Sequence, residues 1–237
     1  MGMKIAARTH QGLVRLKNED ACAVDEDAGW AVLADGMGGL LAGEEASRIA
    51  VSAAISMLEA NPTLLPVDVV EEAHARVLAH AKSQNYLGKM GTTLIVWCSG
   101  RNGWSFSYVG DSRVYQLDGT KLVQLSRDHT VAQRMVDEGI IPQEEAHKAP
   151  NQNVLTQAIG MPGRIVPGGG GGHSTERILL CSDGLSGLVV PEKMAELMGA
   201  ASVTEAADEL TKAALDCGGR DNITVIVIDL DSTPQQD

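Results

Sequence analysis

Strand signals and helix signals come in groups along this chain instead of alternating one by one. Apolar residues recur with helical spacing over residues 44–59 and again over 66–84, and four strand signals then follow between residues 92 and 125. A doubly wound parallel sheet needs a helix between successive strands, so this order argues against that architecture. The grouping predicts an α+β domain of stacked layers, with two sheets inside and helices outside.

Turn and capping signals mark where individual elements begin and end. Asp118-Gly119 lies between two apolar stretches and predicts a plain β-hairpin. Ser202 and Glu205 have the spacing of a capping box, which predicts a helix that runs from there to about Asp216. Five consecutive glycines, Gly168–Gly172, predict a flexible surface loop. Because no Lys-Ser/Thr pair follows the glycines, they fit a phosphate-binding loop poorly.

Composition argues against several classes of protein. The 237 residues carry 19 Lys and Arg against 31 Asp and Glu, a formal net charge of −12, so nucleic acid is not an expected partner. An acidic chain that handles phosphate needs local cations, either arginines or metals. No apolar run reaches the roughly 18–20 residues of a membrane span, and no secretory signal is evident. The four cysteines form no Cys-x-x-Cys pair, so we expect reduced thiols and a cytoplasmic protein.

Acidic residues stand at the ends of several predicted strands. Asp35, Asp111 and Asp183 each follow an apolar stretch, and Asp221 opens the last strand. The strands of one sheet end at a common rim, where gathered carboxylates repel one another unless cations neutralise them. A set of oxygen donors without cysteine or a His-x-x-x-His pair suits Mg²⁺ or Mn²⁺. An Asp-Gly pair is also an ordinary turn, so the spacing alone leaves both a metal site and a set of turns open.

Short motifs spread over nearly the whole chain carry a family resemblance. In their order they resemble the metal-dependent protein serine/threonine phosphatases of type 2C, the PPM family, in their compact bacterial form. Each motif alone is weak, whereas the ordered set is specific. The motifs are residues 12–20 (GLVRLKNED), 34–39 (ADGMGG), 91–93 (GTT), 109–113 (VGDSR), 126–130 (SRDHT), 155–160 (LTQAIG), 180–185 (LCSDGL) and 219–222 (GRDN).

The resemblance implies a fold and a cofactor. The fold would be α+β, with a central antiparallel β-sandwich flanked by α-helices on both faces in a four-layer αββα arrangement. One catalytic domain would cover residues 1–231, with a flap at about 131–152 beside the site and a disordered tail at 232–237. Two Mn²⁺ or Mg²⁺ ions would lie at one end of the sandwich, with a weaker third ion beside them.

The resemblance also implies roles for individual residues. Asp35 would bridge two ions, and the carbonyl oxygen of Gly36 would bind the first of them. Asp111 would bind the third ion together with Asp183. Arg15 would bind the substrate phosphate, because its planar guanidinium matches two phosphate oxygens. Glu19, Asp183 and Asp221 would hold the second ion, directly or through water. Asp20 would orient a bound water. Catalysis would depend on Asp20, Asp35, Asp183 and Asp221.

The sequence departs from the family at the position directly after the Asp-Gly-Met-Gly-Gly motif. Family members often carry a histidine there, which is held to protonate the leaving oxygen, whereas this chain has Leu40. Leucine cannot donate a proton, so the general acid has to be another group. Metal-bound water, His10 and His173 are the candidates. His129, within Asp-His-Thr, is predicted to be a structural hydrogen-bonding residue at the base of the flap.

The activity that the resemblance implies is hydrolysis of phosphoserine and phosphothreonine by attack of a metal-bridging hydroxide. The protein would be a cytoplasmic monomer that acts on phosphorylated proteins and opposes a serine/threonine kinase pathway, with no nucleic acid and no membrane as partner. The alternative is a non-catalytic phosphoprotein-binding scaffold of the same fold, and a small-molecule phosphohydrolase is a lesser one. A scaffold would be expected to lose metal ligands, and the complete carboxylate set therefore favours the enzyme.

Overall fold

A computed structural model describes residues 3–37, 42–101, 103–149, 151–173 and 177–230. Leu40 and the predicted tail at 232–237 lie outside the described residues, and so do Gly38 and Gly39 of the second motif.

The elements follow the grouped order that the sequence predicts. The strands are β1 (Met3–His10), β2 (Asp20–Asp25), β3 (Trp30–Met37), β4 (Gly91–Thr92), β5 (Leu94–Gly100), β6 (Gly103–Val109), β7 (Arg113–Asp118), β8 (Lys121–Gln124), β9 (Gly168–Gly172), β10 (Ile178–Cys181) and β11 (Ile223–Leu230). The α-helices are α1 (Ala42–Ala60), α2 (Pro66–Ser83), α3 (Val131–Asp137), α4 (Asp183–Ser186), α5 (Pro191–Met198) and α6 (Val203–Asp216). A 3₁₀ helix (Gln143–Lys148) follows α3 in the predicted flap.

Two antiparallel sheets form the centre of the molecule. The first sheet has the order β1-β11-β10-β7-β8, and the second has the order β2-β3-β5-β6-β9 with β4 paired to β3. The hairpin predicted at Asp118-Gly119 joins β7 to β8, and Gly119 has the positive φ that such a turn needs. Every strand pair in the described part of the chain is antiparallel, which confirms the predicted α+β fold.

Three buried layers hold the two sheets and the helices together. Alternate residues of β3 and β5 point to opposite faces: Leu33 and Trp97 face the first sheet, while Val32 and Val96 face α1 and α2. The strand β11 is buried on both faces and is therefore apolar along most of its length. Helices α5 and α6 cover the outer face of the first sheet. These layers give the αββα sandwich expected from the resemblance.

The outer helices begin and pack as their sequences predict. Small residues such as Ala46, Ala50 and Ala54 form the buried face of α1, which allows close contact with the sheet. The predicted capping box opens α6, where the Ser202 hydroxyl accepts the backbone N–H of Glu205 at 3.1 Å. Of the helices in the described residues, none combines the length and the apolar composition that crossing a membrane requires.

The five-glycine segment is a strand, and the predicted flexible loop is wrong. Gly168–Gly172 pairs with β6 along its whole length as β9. The reason is steric, because the rings of three alternate β6 residues lie against the glycine backbone. A Cβ on Gly172 would stand 2.8 Å from a ring carbon of Trp104, one on Gly170 would stand 2.9 Å from Phe106, and one on Gly168 would overlap the Tyr108 ring. Glycine is thus what lets this strand lie under large aromatic side chains.

Candidate active site

The acidic residues singled out in the sequence meet at one end of the sandwich, between the two sheets. Asp35 lies near the end of β3 and Asp111 lies between β6 and β7, while Asp183 follows β10 and Asp221 precedes β11. A cleft of about 500 Å³ opens there. Of the predicted site residues, its lining includes Arg15, Glu19, Asp35, Gly36, Asp111, Asp183 and Asp221. The structure therefore brings together every predicted site residue except Asp20, which lies behind the lining.

Strand pairing places Asp20 and Asp35 side by side. The two residues are direct partners in the β2–β3 register. The Asp35 backbone is fixed from the other side by Thr93, which interrupts the strand predicted over residues 92–97. The Thr93 hydroxyl accepts the Asp35 N–H at 2.9 Å, and the Thr93 N–H donates to the Asp35 carbonyl at 2.8 Å. The hydroxyl of Thr93 also hydrogen-bonds that of Ser112 at 2.8 Å, which links the Asp35 segment to the Asp111 turn.

Two hydroxyl groups hydrogen-bond one oxygen of the Asp20 carboxylate, and none of the described residues hydrogen-bonds the other. Its Oδ2 accepts hydrogen bonds from Thr224 at 2.6 Å and Ser182 at 2.9 Å. Its Oδ1 is buried and has no hydrogen-bond partner among the described residues, and the same is true of Oε1 of Glu19. A buried carboxylate oxygen without a partner is costly. These two atoms are therefore the positions at which the site most needs a cation or a bound water.

Burial and mutual repulsion raise the pKa values of the clustered carboxyls. Burial is the main cause at Asp20 and at Asp111, whose pKa values both rise to about 7, and the charge of Asp183 adds to the effect at each. The pKa of Asp35 lies well above its usual range because of burial and the surrounding acids. Burial and the charge of Asp221 also raise the pKa of Asp183, while its hydrogen bond with Asp35 lowers it.

The donor set fits a hard divalent cation, although its side chains are not arranged around one as they stand. No group of three or more His, Cys, Asp and Glu side chains within the described residues is positioned to hold an ion. All the candidate ligands are oxygens, two of them lack partners, and the raised pKa values mark charges that a cation would neutralise. This chemistry suits Mg²⁺ or Mn²⁺.

Arg15 reaches the cleft from a loop that Asn222 holds in place. The Asn222 side chain accepts the Glu19 N–H at 2.8 Å and donates to the carbonyl oxygens of Gln11 and Lys17, also at 2.8 Å. These bonds fasten both ends of the Arg15 loop to the start of β11. Arg15 itself forms an ion pair with Asp221, with 2.6 Å between Nη2 and Oδ2.

Sequence reasoning missed the residues that position the carboxylates. These are Thr93, Ser112, Ser182, Asn222 and Thr224, all 5% exposed or less. Three of them, Ser112, Ser182 and Asn222, lie within the quoted motifs and directly beside an acidic residue. A small polar residue next to a candidate ligand was the available signal, and a buried hydroxyl or amide needs a partner inside the protein.

His129 clamps the Asp111 turn, as its predicted structural role requires. Its Nδ1 accepts the Gly110 N–H at 3.1 Å, and its own backbone N–H donates to the Gly110 carbonyl at 3.0 Å. The imidazole stacks on Tyr108 with 5.1 Å between ring centroids. Gly110 has φ +112°, and a Cβ there would meet the Thr93 side chain at 2.5 Å. The backbone next to Asp111 is thus fixed on two sides.

The predicted flap lies beside this cleft. A second cavity of about 440 Å³ lies between the flap and the sandwich and shares Asp111, Asn153 and Asp183 with the first. Gln133, on α3, and His147, in the 3₁₀ helix, contribute to its lining. A ligand bound at the carboxylates therefore has room to extend under the flap.

The two histidines considered as proton donors have different positions. His173 follows the end of β9 that pairs with Trp104, at the opposite end of β6 from Asp111. That separation excludes it from the cleft, and its candidacy is wrong. His10 ends β1 beside the Arg15 loop, where its Nδ1 accepts the Gly12 N–H at 2.9 Å. The acceptor role of Nδ1 leaves the proton of neutral His10 on Nε2.

Comparison with known proteins finds a family match over most of the chain. The sequence model for protein phosphatase 2C matches residues 9–217. The serine/threonine protein phosphatase PstP of Mycobacterium tuberculosis is 37% identical over 244 aligned positions, which cover 96% of this chain and 45% of the relative. The chain thus spans less than half the length of that relative. A serine/threonine phosphatase, stp, of Listeria welshimeri is 33% identical, and the match covers 94% of both chains.

Solved structures share the fold as well. The crystal structure of the catalytic domain of PstP in complex with two manganese ions is similar with a TM-score of 0.84 and 35% identity, covering 96% of this chain and 97% of the other. That degree of similarity extends over both sheets and the helical layers. The fold of this chain thus has a solved relative that contains manganese.

Proposed function

The chain belongs to the protein phosphatase 2C family, and from this premise we propose that it hydrolyses phosphoserine and phosphothreonine in proteins with the help of Mn²⁺ or Mg²⁺. The observation that carries the proposal is the convergence of Asp35, Asp111, Asp183 and Asp221 with Arg15 in one cleft. A relative with two manganese ions supports the choice of cofactor. Proteins phosphorylated by a serine/threonine kinase are the proposed substrates.

Different carboxylates would bind different ions. Asp35 and the carbonyl of Gly36, together with Glu19, Asp183 and Asp221, would hold a central pair, and Asp111 with Asp183 would hold a weaker third ion. Divalent ions bound in this way lower the pKa of a water molecule and stabilise charge on phosphoryl oxygens. Asp20 would orient a water through Oδ1, its partnerless oxygen, while the hydroxyls of Ser182 and Thr224 keep its other oxygen fixed.

Direct attack by water is favoured over a covalent phosphoenzyme. The cleft lining contains no cysteine among the described residues. Cys181 is fully buried on the face of β10 that packs toward α5 and α6. Burial raises the pKa of its thiol to about 12, so the thiol is not a nucleophile at neutral pH. Arg15 would bind phosphate oxygens and hold the phosphoryl group in line with the attacking water.

The experiment that tests the proposal compares phosphopeptides with and without Mn²⁺. The purified protein is expected to release phosphate from phosphoserine and phosphothreonine peptides at least about tenfold faster than from a phosphotyrosine peptide of the same sequence. Phosphate release is measured with malachite green at several peptide concentrations. Peptide binding without hydrolysis would favour the scaffold alternative, and hydrolysis of small phosphate esters alone would favour the small-molecule phosphohydrolase.

A second prediction concerns His129 as a positioning residue. His129→Phe keeps a ring stacked on Tyr108 but removes the acceptor for the Gly110 N–H. The turn that carries Asp111 then loses one of its two hydrogen bonds to residue 129. We expect kcat to fall about tenfold, the lower end for residues that support metal ligands, and the Mn²⁺ concentration for half-maximal activity to rise. His129→Asn places an amide oxygen near the position of Nδ1 and is expected to recover most of the activity. Equal activity in His129→Phe and the wild type would contradict this role.

A further inference from the structure

The ion pair between Arg15 and Asp221 occupies one oxygen of a proposed metal ligand. Arg15 Nη2 lies 2.6 Å from Oδ2 of Asp221. The other oxygen, Oδ1, accepts the backbone N–H of Asn222 at 2.8 Å. Both oxygens of Asp221 are therefore engaged by donors of the protein, and a divalent cation that binds Oδ2 has to share it with the guanidinium or displace it.

Charges around the cleft draw Arg15 toward the carboxylates. The pKa of Arg15 is raised above its usual value, chiefly by the hydrogen bond to Asp221, with further contributions from the charges of Asp183 and Glu19. The Arg15 side chain is 52% exposed and that of Asp221 34%. Solvent therefore screens the pair, and an interaction of this kind is weak enough to exchange for another partner.

We propose that Arg15 and a divalent cation compete for Asp221, and that a phosphate group relieves the competition by taking the guanidinium. This inference rests on the proposed function, because it requires Asp221 to be a metal ligand and Arg15 to bind phosphate. Arg15 thereby couples cation binding to phosphate binding. Without phosphate, Arg15 lowers the affinity of the site for the cation. With phosphate bound to the guanidinium, this reduction in affinity is smaller. Coupling of this kind is reciprocal, so bound cation also frees Arg15 for the substrate.

Two physical effects act in the same direction. The guanidinium hydrogen bond withdraws an oxygen from the cation, and the positive charge repels the cation across the cleft. Removal of Arg15 is thus expected to tighten cation binding, even though it removes a group that the reaction needs. A residue that merely held the Arg15 loop in shape would have the opposite effect, because its loss would disorder Glu19 on the same loop.

The test is a calorimetric titration with Mn²⁺ of the wild type, Arg15→Ala and Arg15→Gln, supported by thermal melts that verify folding. We expect both variants to bind Mn²⁺ about two- to fivefold more tightly, the range that a solvent-exposed ion pair provides. Arg8→Ala is the matched control. Arg8 forms a comparable exposed pair with Asp208, with 2.5 Å between Nε and Oδ1, and does not line the cleft, so its loss is expected to leave Mn²⁺ affinity unchanged.

A second titration in the presence of inorganic phosphate tests the relief of competition. Phosphate is expected to tighten Mn²⁺ binding to the wild type by a larger factor than to Arg15→Ala, because only the wild type has a guanidinium to release. Unchanged or weaker Mn²⁺ binding in Arg15→Ala, or an equal gain in Arg8→Ala, would overturn the inference and leave the proposed function standing. A wild type that binds no Mn²⁺ and hydrolyses no phosphopeptide would overturn both.

Discussion

Removal of divalent cations is expected to abolish phosphatase activity, and added Mn²⁺ or Mg²⁺ is expected to restore it. The buried acids at the end of the sandwich have raised pKa values, and Arg15 is the one Lys or Arg side chain among the described residues that line the cleft. Cation catalysis contributes several kcal/mol to lowering a barrier of this kind. Each 1.36 kcal/mol is a factor of ten, so the expected loss is about 10³-fold or more. Phosphopeptide hydrolysis is measured after EDTA treatment and dialysis.

The variant Asp183→Asn tests whether activity depends on the Asp183 carboxylate as a metal ligand, independently of any loss of folding. Asparagine has the same shape, can still hydrogen-bond Asp35, and removes a negative charge from a cluster of buried acids. Activity is expected to fall about 10²-fold or more, while the melting temperature of cation-free protein stays the same or rises. Asp118→Asn is the control, because Asp118 lies in the exposed turn between β7 and β8. Full activity of the EDTA-treated protein, or of Asp183→Asn, would contradict the assignment.

The sandwich and the position of the acids could be predicted because local signals and family motifs agree with the three-dimensional structure. Helical spacing identified α1 and α2, and strand-end aspartates identified the rim. The residues that hold those acids could not be predicted in the same way. Thr93 and Asp35 lie 58 positions apart, and Asp20 and Thr224 lie 204 positions apart, so their hydrogen bonds appear only when the sheets are assembled.

The glycine strand shows a different limit of sequence reasoning. Glycine lowers strand propensity, and five in a row predict flexibility on local grounds alone. In the folded chain, β9 is specified by its neighbour, since the rings of Trp104, Phe106 and Tyr108 occupy the space above its backbone. Tertiary packing therefore decides the conformation against the local preference. The alternating aromatic residues of β6 could be seen in the sequence. That their rings would lie over the glycine segment could not.

Gly36→Ala is also expected to cause a large loss of stability and activity, because the backbones of three segments meet at this residue. A Cβ on Gly36 would stand 2.5 Å from the carbonyl oxygen of Glu19 and would overlap that of Gly43. The Gly36 N–H also donates to the Glu19 carbonyl at 3.2 Å. Neither contact can be relieved by rotating a side chain, so β3 or its neighbours must move. We expect a loss of about 1–3 kcal/mol of stability, the usual range for overpacking.

The displacement would also disturb the site itself, because Gly36 follows Asp35 and the segment it would push away carries Glu19. Catalysis depends on the placement of such groups to within a fraction of an ångström, so we expect activity to fall by about 10²-fold or more even at temperatures where the variant is folded. Gly100→Ala is the matched control: Gly100 is also a strand glycine, but among the described residues a Cβ there would meet one atom within 4 Å, the Gly103 carbonyl oxygen at 3.7 Å. Melting temperature and phosphopeptide turnover at saturating Mn²⁺ are measured for both variants. If Gly36→Ala loses stability but retains full turnover, then the carbonyl of Gly36 is not a ligand, and the close approach of the three segments serves packing alone.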